Sequence, residues 1–257
     1  MLVGFVTRSE RSLRAGSGCR QRCVKVGSSY CQLDRVGFQI LNGKTPNEGV
    51  PGAAYIDVLK KQLPQHNILN YGRGGDTVRS LYTRAVRSHS WKPNSLQADA
   101  VFLWLGVNDV LPELAAFYPP MKRIVGQPWT RNEAEFSEYY RKLLELFGAH
   151  CKQVWAVAPL FIGEDMENYW NRQVESHSRL IKKLSGEERF VDMRAVFLKE
   201  FSKLGDRRPQ IVSQFLPVSP RKAALDMLFC RRASQADRRA EQRGLFFTMD
   251  GIHLNSR

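Results

Sequence analysis

The apolar positions of the chain form two patterns, short continuous runs and longer periodic segments. Short apolar runs of about four to eight residues are typical of strands buried on both faces of a parallel sheet. Such runs occur at 23–26, 66–70, 99–106, 152–159 and 189–193. These runs are the candidate strands of the protein.

The periodic segments lie between these runs and predict amphipathic helices, because apolar residues recur in them every three or four positions. The segments are 54–63, 131–147 and 169–184. Pro64 ends the first helix, and Gly148 and Gly186 stand where glycine favours a helix end. Before the second helix, Thr130 and Glu133 have the spacing of a capping box. We expect His177, on the third helix, to pack at the edge of its apolar face.

The alternation of strands and helices predicts an α/β fold with three layers, in which helices cover both faces of a mostly parallel central sheet. In sheets of this kind, ligands bind beyond the carboxyl ends of the strands. The residues that follow each strand are therefore the candidates for a functional site.

Chemically useful residues follow several of the predicted strands. The segments are Gly27-Ser28-Ser29, the glycine-rich 71–77, Gly106-Val107-Asn108-Asp109 and, near the end of the chain, Asp250-Gly251-Ile252-His253. They supply a hydroxyl, glycine backbone, a side-chain amide and an acid–histidine pair, which are the groups that acyl transfer requires. Each segment alone also fits an ordinary turn. Phosphate binding is a rival for 71–77, which lacks the Walker lysine and the GxGxxG spacing.

In this order, the segments resemble the blocks of the SGNH (GDSL-type) hydrolase family. NYGRGGDT is similar to the glycine block, LWLGVNDV to the asparagine block and DGIHLN to the histidine block. The resemblance covers about residues 23–257 and implies a flavodoxin-like fold. It also implies a serine hydrolase that cleaves carboxylic esters and needs no cofactor or metal.

The resemblance also implies the roles of individual residues. Ser29 is the expected nucleophile, His253 the general base and Asp250 the acid that orients the histidine. The expected oxyanion hole combines the backbone N–H groups of Ser29 and Gly75 with the side-chain amide of Asn108. We expect a structural role for Asp109, in the turn after its strand, and for Asp76 and Thr77, at the start of the next helix.

The serine block departs from the family pattern, because Ser28 stands where aspartate is usual. Ser28 is therefore the main competitor of Ser29. Ser9 is a weaker candidate, since it lacks a preceding glycine and a convincing strand. A non-catalytic relative with the same fold is the alternative that this departure leaves open.

Length and composition fit one sizeable α/β domain, with 257 residues of which 43% are hydrophobic. We expect an irregular basic segment at 1–22 and a hydrolase-like domain at 23–257. Within that domain, 202–244 reads as an arginine-rich insertion. The closing helix that the family usually carries after the histidine block is not expected here.

The formal net charge of +14 raises the alternative of a nucleic-acid or anionic-surface binder. No nucleic-acid-binding motif accompanies the charge, so we expect an ester of a small molecule, carbohydrate or lipid as the partner instead.

The five cysteines include no CxxC pair and the histidines are scattered, which favours neither a disulfide framework nor a metal site. The absence of a long apolar run and of a secretory leader predicts a cytoplasmic protein.

Overall fold

The computed structural model describes residues 2–8, 55–87, 98–114, 118–204, 233–248 and 251–254. The strands in these ranges are β1 (Leu2–Arg8), β2 (His66–Asn70), β3 (Ala98–Trp104), β4 (Cys151–Val157) and β5 (Phe190–Val191). The α-helices are α1 (Tyr55–Gln62), α2 (Val78–Arg87), α3 (Val107–Leu114), α4 (Tyr118–Ile124), α5 (Glu133–Gly148), α6 (Tyr169–Ser185), α7 (Met193–Ser202) and α8 (Ala233–Gln242).

The strands form one sheet in the order β2-β1-β3-β4-β5. β3 pairs with β4 and β4 with β5 in parallel, whereas β1 is antiparallel to both of its neighbours. β2, β3, β4 and β5 therefore run in one direction, and their carboxyl ends share one edge of the sheet. The predicted mostly parallel sheet is confirmed, with β1 as an exception that the sequence pattern did not predict.

Helices cover both faces of the sheet, and the side chains of β3 alternate between these two faces. Val101 and Leu103 are fully buried on one face, where they join a cluster with residues of α2, α5 and α6 such as Leu81 and Phe136. On the other face, Trp104 packs against a cluster that includes aromatic residues of α7. The three-layer α/β/α arrangement follows from this alternation.

The start of α5 differs from the sequence prediction. The predicted capping box at Thr130 and Glu133 is wrong, since Asn132 is the N-cap and its side-chain oxygen accepts a hydrogen bond from Glu135 N at 2.9 Å. The Thr130 hydroxyl donates instead to a buried carboxylate, 2.9 Å away. The Thr130 side chain, which the local spacing assigned to the helix cap, therefore binds a residue that is distant in sequence.

The ends of the predicted helices are otherwise close to those observed. Gly148 is the last residue of α5 rather than the residue after it, and Ala149 is the C-cap. Gly186 follows α6 with a φ of 81°, as expected for a glycine at a helix end.

His177 stacks on Phe136 with ring centroids 4.1 Å apart, which confirms its packing role. Burial lowers the pKa of His177, and a hydrogen bond with the backbone of Gly106 opposes this effect.

The predicted strand at 66–70 is confirmed with the same bounds, and those at 99–106 and 152–159 are confirmed within two residues. Only two residues of the run at 189–193 form a strand, because a 3-10 turn ends at Arg189 and α7 begins at Met193 with Asp192 as its N-cap. The run at 23–26 lies outside the described residues.

No helix in the described ranges has both the length and the apolar character needed to cross a membrane.

Candidate functional site

The glycine-rich loop after β2 turns tightly at the carboxyl edge of the sheet. Asp76 N donates to Arg73 O at 3.1 Å, and Gly75 has a φ of 74°, in the left-handed region that favours glycine. A Cβ atom at position 75 would lie 2.7 Å from Gln127 Oε1 and 3.3 Å from Lys122 Nζ. Conformation and close packing therefore both select glycine at this position.

The loop leads directly into α2, whose first turn is capped by side chains. The Thr77 Oγ1 accepts from Ser80 N at 3.0 Å, while Thr77 N donates to Ser80 Oγ at 2.8 Å, so the two residues satisfy each other's backbone groups. Asp76 accepts from Ser80 Oγ at 2.9 Å and pairs with Arg84. The predicted role of Asp76 and Thr77 at the start of this helix is confirmed.

Asn108 lies beside the glycine-rich loop, although it follows a different strand. It belongs to the first turn of α3, and its Nδ2 donates to Asp76 O at 3.1 Å. An amide nitrogen with two hydrogens can make this bond and donate a second one. The structure thus brings together Gly75 and Asn108, two of the residues that the sequence assigns to the site.

Asp109 is buried next to Asn108 and links its segment to the start of α2. Its Oδ2 accepts from Val78 N at 3.0 Å and its Oδ1 accepts from the Thr130 hydroxyl, so it caps α2 rather than a turn of its own segment. Burial raises the pKa of Asp109 to about 6, while these hydrogen bonds and the charge of Lys122 act in the opposite direction. The predicted structural role is confirmed, at a longer range than expected.

Lys122 is a buried cation directly behind the loop, and the sequence did not predict it. Lys122 is only 1% exposed, and its Nζ donates to Gly75 O. Burial lowers the pKa of Lys122 to about 8, and the carboxylates of Asp109 and Asp76 oppose that shift. Lys122 and Asp109 therefore each favour the charged form of the other, against the effect of burial.

The segment that leads into the histidine block is bound by a carboxylate that follows β4. Glu164 accepts hydrogen bonds from the backbone N–H groups of Phe246, Phe247 and Thr248, each at 2.7 Å, and from the Thr248 hydroxyl at 2.8 Å. Burial raises the pKa of Glu164, and these bonds oppose the shift. Glu164 was not predicted, although it follows β4 and so lies where the candidates for a functional site are expected.

His253 lies in a closed turn between Thr248 and Leu254, which form an isolated antiparallel bridge. Gly163 N donates to Gly251 O at 2.6 Å, which ties the turn to the exit of β4. Ile252, next to His253, packs in a cluster that includes Val107, next to Asn108. The histidine block and the asparagine block therefore pack against the same apolar cluster. His253 is half-buried.

Ser29, the competing Ser28 and Asp250 lie outside the described residues. Ser9 also lies outside them, but a strand does precede it, contrary to the sequence analysis. That strand, β1, ends at Arg8 opposite His66, the first residue of β2. The exit of β1 is therefore at the amino edge of the parallel strands, away from Gly75 and Asn108.

Within the part of the chain that the structure describes, no group of three or more histidine, cysteine, aspartate or glutamate side chains is arranged to hold a metal ion.

Solved structures with similar folds include an acetylxylan esterase from Geobacillus stearothermophilus, with a TM-score of 0.50 and 20% identity over 75% of this chain and 90% of the other. A catalytic mutant of that esterase gives a TM-score of 0.50 and 21% identity over the same shares. An α/β hydrolase from the metagenome of Lake Arreo, Spain, gives 0.48 and 18%, over 72% and 84%. At these identities the likeness concerns the fold alone.

A search of curated proteins gives no significant match. The profile of the family described as GDSL-like Lipase/Acylhydrolase, in contrast, matches residues 12–257. This match includes the glycine, asparagine and histidine blocks together with the segment of Ser29. The chain therefore belongs to the GDSL-like lipase/acylhydrolase family and is an esterase, a hydrolase that acts on ester bonds.

Proposed function

We propose that the protein hydrolyses carboxylic esters through a Ser29–His253–Asp250 triad, with an oxyanion hole formed by Ser29 N–H, Gly75 N–H and the Asn108 amide. The observation that carries the proposal is the bond of Asn108 Nδ2 to Asp76 O, because it joins the amide to the loop of Gly75. In oxyanion holes, such donors converge on the oxygen that gains charge in the transition state.

Gly75 supports this role through its own N–H group. Among the described residues, no group accepts a hydrogen bond from it, and Gly75 is half-exposed beside the carboxyl edge of the sheet. Because position 75 carries no side chain, a substrate oxygen can approach the backbone closely. Removing one oxyanion donor typically costs about 2.7 to 4 kcal/mol of transition-state stabilisation.

The reaction proceeds in two halves. Ser29 Oγ attacks the ester carbonyl carbon while His253 takes the hydroxyl proton, and the oxyanion donors bind the carbonyl oxygen of the tetrahedral intermediate. The carbon–oxygen bond to the alcohol then breaks, and His253 gives its proton to the leaving alcohol. Water attacks the acyl-enzyme with His253 again as the base, which releases the carboxylic acid and restores Ser29.

The proposed substrate is an ester of a small molecule or a carbohydrate. Support comes from the structural neighbour described as an acetylxylan esterase, of which a catalytic mutant replaces a serine. The fold alone does not select an acyl chain, so a series of p-nitrophenyl esters of increasing acyl length is the appropriate first panel.

The test compares wild type, Ser29→Ala and Ser28→Ala on this ester panel and with a fluorophosphonate probe. We expect Ser29→Ala to lose ester hydrolysis and covalent labelling, whereas the adjacent Ser28→Ala keeps both. Loss in Ser28→Ala alone would make Ser28 the nucleophile. Folded wild-type protein that neither turns over any ester nor reacts with the probe would favour the non-catalytic alternative.

A further inference from the structure

The carbonyl groups of Gly74 and Gly75 accept hydrogen bonds from one short segment, which comprises the end of α4 and the residues just after it. Lys122 Nζ donates to Gly75 O, and Gln127 Nε2 donates to Gly74 O at 2.7 Å. The backbone also links the two residues that donate, because Gln127 N donates to Lys122 O at 2.8 Å. Lys122 and Gln127 are both buried, at 1% and 2% exposure. We call this pair the loop clamp.

The loop clamp determines the direction of the Gly75 N–H. Gly74 C=O and Gly75 N–H belong to the same planar trans peptide, so they point in opposite directions. A bond from Gln127 to Gly74 O therefore turns the Gly75 N–H away from Gln127. Lys122 fixes the plane of the next peptide in the same way, through Gly75 O.

The charge of Lys122 strengthens this arrangement, since a hydrogen bond from a charged donor is roughly twice as strong as a neutral one. The charged groups that face it are Asp109 on α3 and both Asp76 and Arg73 on the loop. Burial lowers the pKa of Lys122 to about 8, so the ammonium loses its proton at moderately alkaline pH.

We propose that Lys122 and Gln127 are positioning residues for the reaction: they orient the Gly75 N–H towards the oxyanion without touching the substrate. This inference rests on the proposed function, in which Gly75 N–H is an oxyanion donor. Because the donor acts on charge that develops in the transition state, its misalignment lowers kcat and leaves KM nearly unchanged.

The experiment measures kcat and KM for p-nitrophenyl acetate, from neutral to alkaline pH, in Gln127→Met, Lys122→Met and the control Arg123→Met. Arg123 is an exposed cation on the same helix, next to Lys122 in sequence. We expect Gln127→Met and Lys122→Met to lower kcat by about tenfold or more, less than the effect of removing a donor outright. Arg123→Met should match wild type.

The pH profile separates positioning from a purely structural role. In wild type and Arg123→Met, kcat should fall as pH rises through about 8, because Lys122 loses its charge. In Lys122→Met this fall should be absent, whereas a purely structural role would lower the melting temperature and leave the profile unchanged. If Lys122→Met does not fold, Gln127→Met and the wild-type profile decide the question.

Ser29→Ala distinguishes the two proposals. If it is inactive while both clamp variants keep the kcat and pH profile of wild type, the loop clamp has no positioning role. If Ser29→Ala hydrolyses the ester as fast as wild type, the proposed function itself is wrong.

Discussion

At the scale of single residues, Gly75 is subject to two separate constraints. Its φ of 74° strains any residue with a Cβ, and that Cβ would also meet Gln127 Oε1 at 2.7 Å. Gln127 would have to move and release Gly74 O to make room. Gly126 has a similar φ of 66° but no atom within 4 Å of the corresponding Cβ position. The two glycines therefore differ in crowding and not in backbone strain.

We predict that Gly75→Ala abolishes most ester hydrolysis, whereas Gly126→Ala mainly lowers stability, by about 1 to 2 kcal/mol from left-handed strain. Turnover of p-nitrophenyl acetate and chemical denaturation of both variants provide the measurement. Equal kcat values in the two alanine variants would mean that crowding at position 75 does not matter for the reaction.

The sequence predicts Gly75 and Asn108 as site residues because each follows an apolar run within a recognisable block. It did not identify Lys122 or Gln127, since nothing in YPPMKRI or the residues after it marks a lysine for burial. Their role depends on a contact with residues about 50 positions earlier in the chain, which local patterns do not encode.

At the scale of elements, the segment that leads into the histidine block is bound by one carboxylate from the exit of β4. Glu164 presents two oxygens to the N–H groups of Phe246, Phe247 and Thr248 and to the Thr248 hydroxyl. A glutamine at 164 has one acceptor oxygen, and its NH2 group would face donors. His253 follows these residues in the chain and precedes Leu254, which forms a bridge with Thr248.

We predict that Glu164→Gln lowers kcat at least about tenfold and destabilises the protein by about 1 to 3 kcal/mol, the cost of leaving buried donors unsatisfied. Glu167→Gln is the matched control, because Glu167 is exposed and lies in the same loop. Ester kinetics and thermal unfolding of both variants test this. A Glu164→Gln variant with the activity of Glu167→Gln would show that His253 does not depend on this attachment.

The direction of β1 is another property of the elements that the local pattern does not contain. A short apolar strand can pair in either direction, and β1 lies antiparallel between β2 and β3. The predicted capping box at Thr130 is wrong for a similar reason. The Thr130 hydroxyl donates to Asp109, which belongs to a different element.

At the scale of the whole molecule, the buried carboxyl group of Asp109 links stability to pH. Asp109 has a folded pKa of about 6, raised from 3.8 by burial. Between these two values the folded protein binds a proton that the unfolded chain does not bind. The contribution of Asp109 to the free energy of unfolding therefore falls as pH rises through this window.

We predict that the free energy of unfolding of wild type, relative to Asp109→Asn, falls by up to about 3 kcal/mol from pH 4 to pH 6, as a shift of about two pKa units implies. Asparagine keeps an acceptor for Val78 N and removes the titration. Denaturant unfolding across this pH range is the measurement. A difference between the two proteins that does not vary with pH would contradict the assignment.

The sequence by itself determined the α/β class, most strand positions and the family, because apolar periodicity and block spacing are local properties of the chain. Ser29 and Asp250 remain predictions from the same source. Tertiary structure alone decided that Asn108 binds Asp76 O, that Lys122 and Gln127 bind the carbonyls of Gly75 and Gly74, and that Glu164 binds the segment before the histidine block. These contacts join residues distant in sequence, and a local pattern cannot specify which distant backbone groups will meet when the sheet and its helices pack.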